Sequence, residues 1–289
     1  MNKIGICRSY WLNDWESNVK DYIKKASKLG YDILEVDAGI FLNMSKNERK
    51  EIKLLLKQEN VELTFCTGLD ESNNISSTDK RAREKGIEYL KNVVEVINYM
   101  NGEILCGVFY GIWGNPLNTT KEDKQIHLEN SINSMKKIIK TAEDFNVICN
   151  VEVVNRFEQF MLNTYEEGLD YIKRVDSPNI KILLDTYHMN IEEDSIKEAI
   201  IKSGDNMGHL HIGENNRKPP GQGGHIDWDE VVEAVKEVKY DKAIVIESFV
   251  QPWGEIGNDI KVWRNLELKA SDMDQALKEA RTFVQNKFE

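Results

Sequence analysis

The sequence predicts an α/β fold, a single (β/α)8 TIM barrel that spans residues 1–289 as one domain. Three observations predict it. Apolar runs of strand length alternate with amphipathic stretches of helical length from end to end, with no linker or low-complexity break. The 289 residues, 40% of them hydrophobic, suffice for one large core of the kind such barrels build. Four of the apolar runs end in an acid or an imidazole, and strand tips are where a parallel barrel presents its chemistry.

Residues 4–7 read as the first strand, and residues 15–29 as an amphipathic helix closed by Gly30. Residues 33–36 form the second strand, with a charged-faced helix over 47–59, and residues 61–66 form the third. A polar loop over 70–78 leads into a long helix over 79–100, with Ser77 or Thr78 as its N-cap. The fourth strand, 104–108, is separated by a loop holding Trp113, Gly114 and Pro116 from a helix over 124–145. The second half repeats the rhythm. Strand 148–153 precedes helix 165–175, and strand 180–184 precedes helix 195–202. Strand 207–212 is followed by a Gly/Pro loop over 218–224 and helix 228–238. The eighth strand, 243–246, is followed by a long segment and a closing helix over 272–287.

Composition narrows the function classes. A net charge of −11 argues against a nucleic-acid partner, which needs a basic footprint. No apolar run approaches the ~20 residues of a bilayer span, so no membrane partner is expected. The start, Met1-Asn-Lys-Ile-Gly-Ile-Cys, passes directly into a strand without a signal-peptide pattern, which points to the cytoplasm. Cys7, Cys66, Cys106 and Cys149 are far apart and each falls in an apolar run, so reduced thiols at or near the core are expected. Arg8-Ser-Tyr-Trp follows the first strand where a dinucleotide fold would carry Gly-x-Gly-x-x-Gly. The late Gly221-Gln-Gly-Gly224 run reads as a flexible turn. No Gly-x-Ser-x-Gly elbow supports a serine hydrolase.

Glu152, Asp185, His211 and Glu247 end the runs assigned to strands five to eight, each about one strand–helix unit from the next. That regularity puts all four at one face of the barrel. Alone, each would read as a loop residue or a helix cap. Together, three carboxylates and an imidazole form a mostly hard donor shell suited to Mn2+, Mg2+ or Co2+, unlike a thiolate-closed zinc site. A divalent ion chelated by a ketose carbonyl and its neighbouring hydroxyl acidifies the C–H between them. Carboxylates on opposite faces can remove that proton and return another. Strands five and eight lie three positions apart around the ring, so Glu152 and Glu247 flank a substrate. This geometry predicts epimerisation through two bases and leaves aldose–ketose isomerisation open.

At these residues the chain resembles the ketose 3-epimerases, the D-tagatose 3-epimerase and D-allulose (D-psicose) 3-epimerase family. The motifs are Glu152-Val-Val-Asn-Arg-Phe-Glu158, Leu184-Asp-Thr-Tyr-His-Met-Asn-Ile-Glu-Glu193 and Gly208-His-Leu-His-Ile-Gly-Glu-Asn-Asn-Arg217. Tyr10-Trp11 and Lys261-Val-Trp-Arg264 extend the match along the chain. The resemblance implies a xylose-isomerase-like barrel that binds Mn2+ or Co2+, with Mg2+ as a further candidate. It implies interconversion of ketohexoses at C3 (D-tagatose with D-sorbose, D-fructose with D-allulose) through a cis-enediolate. Glu152, Asp185, His211 and Glu247 are then metal ligands, with Glu152 and Glu247 as the acid/base pair. Glu158, His188 and Arg217 hold the O1–O3 end of the substrate, and Cys7, Cys66, Trp15, Trp113 and Phe249 line its site. A homodimer or homotetramer is also implied. The chain departs from the pattern at Cys7, where relatives carry Phe or Tyr, at Arg8 in place of Tyr, and at Ser248 in place of Pro. Its 221–225 loop looks one residue longer. These departures leave the metal site and the reaction type in place and put substrate preference in question. Two alternatives remain: an aldose–ketose isomerase, and a hydrolase of the endonuclease IV type. The second would need more histidines than His127, His188, His209, His211 and His225.

Overall fold

The computed structural model describes residues 2–16, 18–114, 120–264 and 270–289. Pro116 lies outside the described residues. Eight parallel strands close into a barrel in sequence order: β1 (Ile4–Cys7), β2 (Ile33–Asp37), β3 (Glu62–Cys66), β4 (Ile104–Gly107), β5 (Ile148–Glu152), β6 (Ile180–Asp185), β7 (Met207–Ile212) and β8 (Ile244–Ile246). The ring closes where β8 pairs with β1 through Ile4 and Ile244. Strands enclosed on both faces bury most of their positions, which explains why the runs are mostly apolar and not alternating. Of the polar residues on the strands, Glu35, Thr64, Asn150, Glu152, Asp185, His209 and His211 are buried, Asp37 and Lys181 are partly buried, and Glu62 is exposed.

Helices over Lys20–Leu29, Lys46–Glu59, Lys80–Tyr99, Lys121–Phe145, Tyr165–Val175, Ile196–Ser203, Trp228–Glu237 and Ala270–Phe288 follow the eight strands in turn. Three local features differ from the expectation. The first helix begins at Lys20, because the segment after β1 first coils into a 3-10 turn over Arg8–Trp11, and Trp15 stands 45% exposed in the loop between. The cap of the long helix is Asp79, whose carboxylate accepts from the Arg81 amide at 2.8 Å; Ser77 accepts from the Asp79 amide one step earlier. A helix that periodicity did not show, Thr186–Glu192, starts directly at the tip of β6 with Asp185 as its N-cap.

The pairing of β6 with β7 contains a bulge. Ile182 faces Met207, but the next residue, Leu183, faces His209, so Gly208 is the extra residue. A Cβ at position 208 would lie 1.9 Å from Asn150 Oδ1 and 2.6 Å from Lys181 Cβ. Beyond the bulge His209 and His211, two residues apart, share one face of the strand. Gly208→Ala is therefore expected to destabilise the fold by about 1–3 kcal/mol, the usual cost of overpacking a closed core. Thermal melting checks this, and an unchanged Tm would mean that Asn150 yields freely. Among the described residues, no helix is long and apolar enough to cross a membrane.

Candidate functional site

The C-terminal ends of the strands open onto a cavity of about 770 Å3 whose lining includes Cys7, Glu35, Cys66, Glu152, Glu158 and His188. Trp15, Trp113, Arg217, Glu247 and Phe249 line it as well. Glu152 and Asp185 are the last residues of β5 and β6, His211 sits one residue before the end of β7, and Glu247 follows β8. Asp185 pairs in register with His211, which sets neighbouring strand tips level. Carboxylate oxygens of Glu152, Asp185 and Glu247 lie within 4.8 Å of one another and of a His188 ring nitrogen. His211 Nδ1 stands 3.5 Å from Glu247 Oε1 and 3.8 Å from Glu152 Oε1.

Which imidazole belongs with the three acids follows from the hydrogen bonds at the other ring nitrogens. His188 Nδ1 accepts from the Asn155 backbone amide at 3.2 Å, an N–H that can only donate. The two Asn155 donors on Nδ1 and the carboxylates at 3.5 Å (Glu152) and 3.7 Å (Asp185) from Nε2 favour the proton on Nε2, against the longer 3.4 Å approach of the Arg217 Nη2 donor to that atom. In that tautomer His188 is a donor toward the cavity and not a ligand. His211 is arranged the other way round. Its Nε2 lies 2.7 Å from Glu35 Oε1, an ion-pair contact more than an aligned hydrogen bond, and its buried Nδ1 has no hydrogen-bond partner. A ring nitrogen that faces two carboxylates and has no partner of its own is a position that a proton or a metal ion can fill. Three hard oxygens and that nitrogen fit a divalent cation. Charge agrees. Burial, then the neighbouring Glu247, pushes the Glu152 carboxyl well above the usual carboxylate range. Burial would lower the His211 pKa, but Glu35 and Glu247 override it and lift it to about 10. A proton there compensates the acids as a cation would.

Around this group the chain sets further polar atoms. Arg217 adopts a left-handed backbone (φ 64°) and is 4% exposed. Its Nη1 donates to Asp185 Oδ2 at 3.0 Å and to Glu247 Oε2 at 2.9 Å, and its guanidinium lies 3.7 Å from the centroid of the Tyr187 ring. Burial opposes its charge, yet Asp185, Glu247 and Glu158 hold it firmly protonated. Glu158 accepts from Trp113 Nε1 at 2.9 Å and from Asn155 Nδ2 at 3.0 Å. Burial raises the pKa of Glu158, but His188 and Arg217 carry it below the ordinary value. Cys7, Cys66, Cys106 and Cys149 are free thiols. Cys66 lines the cavity, and Cys7 does so while donating to Glu35 at 3.2 Å.

Sequence reasoning missed Glu35, His209, Asn155 and Tyr187. Glu35 matters most. It is 1% exposed on β2, and besides His211 it meets His209 Nε2 at 2.9 Å and accepts from Thr64 Oγ1 at 2.9 Å and Cys106 Sγ at 3.2 Å. A glutamate inside the run Ile33-Leu-Glu-Val36, opposite a His-x-His strand, was the available signal.

Comparison with known proteins gives four results. Residues 23–266 match the family model described as xylose isomerase-like TIM barrel. A D-psicose 3-epimerase of Ruminiclostridium cellulolyticum is 40% identical over 91% of this chain and 89% of its own length. An L-ribulose 3-epimerase of Methylomonas sp. is 32% identical over 96% of this chain and 95% of its own. A crystal structure of D-psicose 3-epimerase with D-tagatose from Clostridium cellulolyticum superposes with a TM-score of 0.96 at 37% identity, covering 99% of both chains.

Proposed function

We propose, since the chain belongs to the xylose isomerase-like TIM-barrel family and within it to the ketose 3-epimerases, that it inverts ketohexoses at C3 with the help of a divalent cation. Glu152, Asp185, His211 and Glu247 would hold that ion, with Mn2+ or Co2+ favoured by a donor set of three oxygens and one nitrogen. The observation that carries the reading is the pair Glu152 and Glu247, two carboxylates from different strand ends that lie within 4.8 Å of each other and both face the His211 ring nitrogen.

When bound, the cation supplies Lewis-acid polarisation of the substrate carbonyl and of the hydroxyl beside it. The residues divide the remaining work. One of Glu152 and Glu247 removes the C3 proton and leaves a cis-enediolate, and the other returns a proton to the opposite face. His188 presents Nε2–H, and Arg217 its guanidinium, toward the oxygens at the O1–O3 end. Glu158, fixed by Trp113 and Asn155, accepts from a substrate hydroxyl. Trp113 and Phe249 wall the site and limit water. A dimer or tetramer completes the proposal, and light scattering tests it.

Turnover in D2O separates this reaction from aldose–ketose isomerisation. D-fructose and D-tagatose are expected to gain deuterium at C3 with inversion, located by NMR. Label at C1 or C2 with an aldose product would assign the isomerase reaction instead.

A further inference from the structure

The cavity that holds Glu152 and Glu247 is also lined by Cys7, Arg8, Trp15 and Asp37. A neighbouring hollow of about 630 Å3 is lined by Arg8, Trp15, Glu16, Asp37 and Ile40, so it shares three of those residues. The space beside the reacting groups therefore continues past Arg8, Trp15 and Asp37. Cys7 leaves it open, because its short side chain is drawn onto Glu35 at 3.2 Å.

Arg8 is 3% exposed, yet among the described residues its guanidinium makes one hydrogen bond, from Nη1 to the Asn18 carbonyl at 2.8 Å. It also lies 5.9 Å from the centroid of the Tyr22 ring. Burial works against its charge, and Asp37 and Glu16 are among the nearby groups that favour it. A guanidinium carries five N–H donors, and those not spent on Asn18 open on the two hollows that Arg8 lines, where a ligand hydroxyl can take them from water. Asp37 stands beside the same opening and accepts from the Ile40 amide at 3.3 Å, which leaves lone pairs to spare.

The chemistry of that partner follows from the lining. Eight carboxylates and three cationic side chains surround the cavity, so a phosphate or a sugar acid meets net repulsion. A donor and an acceptor side by side suit hydroxyls, which donate and accept at once. The Trp15 ring adds an apolar face for the C–H groups between them.

We propose that Arg8 and Asp37 form a polyol-binding subsite that grips the hydroxyls at the substrate's end remote from the carbonyl, and that this grip selects ketohexoses over ketopentoses. The proposal rests on the ketose reading of the site. Both residues are specificity groups acting on the far end of the sugar, away from the proton transfer.

Arg8→Met and Asp37→Asn test it through kcat/KM for D-fructose and for D-ribulose. In each variant the fructose-to-ribulose ratio is expected to fall about tenfold, mainly through KM for the hexulose. Arg8→Lys should recover part of the ratio by restoring the charge, and Lys and Asn variants carry the test if Arg8→Met fails to fold. An unchanged ratio in folded variants, or equal losses on both sugars, overturns the proposal. So does a preference of the wild type for D-fructose 6-phosphate, which would assign Arg8 to an anion. Calorimetric binding of D-mannitol and ribitol supplies a readout without turnover: the wild type should bind the hexitol about tenfold tighter, and Arg8→Met should erase the difference. Arg8-dependent hexitol preference in a protein that epimerises no ketose would sink the reaction and spare the subsite. Epimerisation with no such preference would do the reverse.

Discussion

Glu152→Gln and Glu247→Gln are each expected to lower kcat by roughly 1,000-fold, within the range that a positioned general acid or base contributes. Each change keeps shape and hydrogen-bonding reach and removes the capacity to exchange a proton. Both carboxylates lie against His211 Nδ1 and within 4.8 Å of each other, so both losses fall at one reacting centre. A single catalytic base that swung between faces would predict one large effect and one small one. Two fixed bases predict two large effects with a signature. In each variant the remaining glutamate can still exchange the C3 proton of the epimer that faces it. Slow deuterium wash-in to one epimer without inversion, and to the other epimer in the second variant, is the expected result. Near-normal turnover in either variant would falsify the two-base assignment.

The strand tips were legible because each apolar run stops at a charged residue, and a parallel barrel gives such a break only one meaning. Ile182 to Leu184 is buried by its surroundings, so Asp185 at the end of the run announces both a strand terminus and a site. Glu35 gave no such break. One acid inside a four-residue strand looks the same in sequence whether it faces helices or the barrel axis, and its partners His209 and His211 come from a strand far along the chain. Arg217 was legible only through the family resemblance, for a related reason. Nothing near it in sequence explains a buried cation; its counter-charges arrive from the tips of β6 and β8 and from the loop carrying Glu158. The helix Thr186–Glu192 was hidden because its cap is the site residue Asp185, and a carboxylate read as a ligand was not also read as a helix start. Local patterns reveal elements; charge balance across strands needs the closed ring.

Glu35→Gln carries that last point to a measurement. The carboxylate divides its two oxygens among five neighbours: His211 Nε2 and Cys7 Sγ on Oε1, and His209 Nε2, Thr64 Oγ1 and Cys106 Sγ on Oε2. Every one of these can donate, so a doubly acidic acceptor is satisfied and an amide is not. Gln places an NH2 where only acceptors fit, and it removes the negative charge that holds a proton on His211 Nε2, the tautomer in which Nδ1 can meet a metal ion. Burial would raise the Glu35 pKa, but His211 and then His209 hold it well below the carboxylate range, as a permanent anion. Outer carboxylates that orient a ligating histidine typically carry about 10–100-fold in metal affinity. Calorimetric titration of Glu35→Gln with Mn2+ is therefore expected to show a Kd weaker by that factor. Breaking a buried ion pair on one side also costs roughly 3 kcal/mol of stability, so the titration belongs well below the Tm of the variant. A merely structural glutamate would lower Tm and leave the Mn2+ affinity of the folded fraction within about twofold of wild type. A glutamate that sets the tautomer of His211 lowers both.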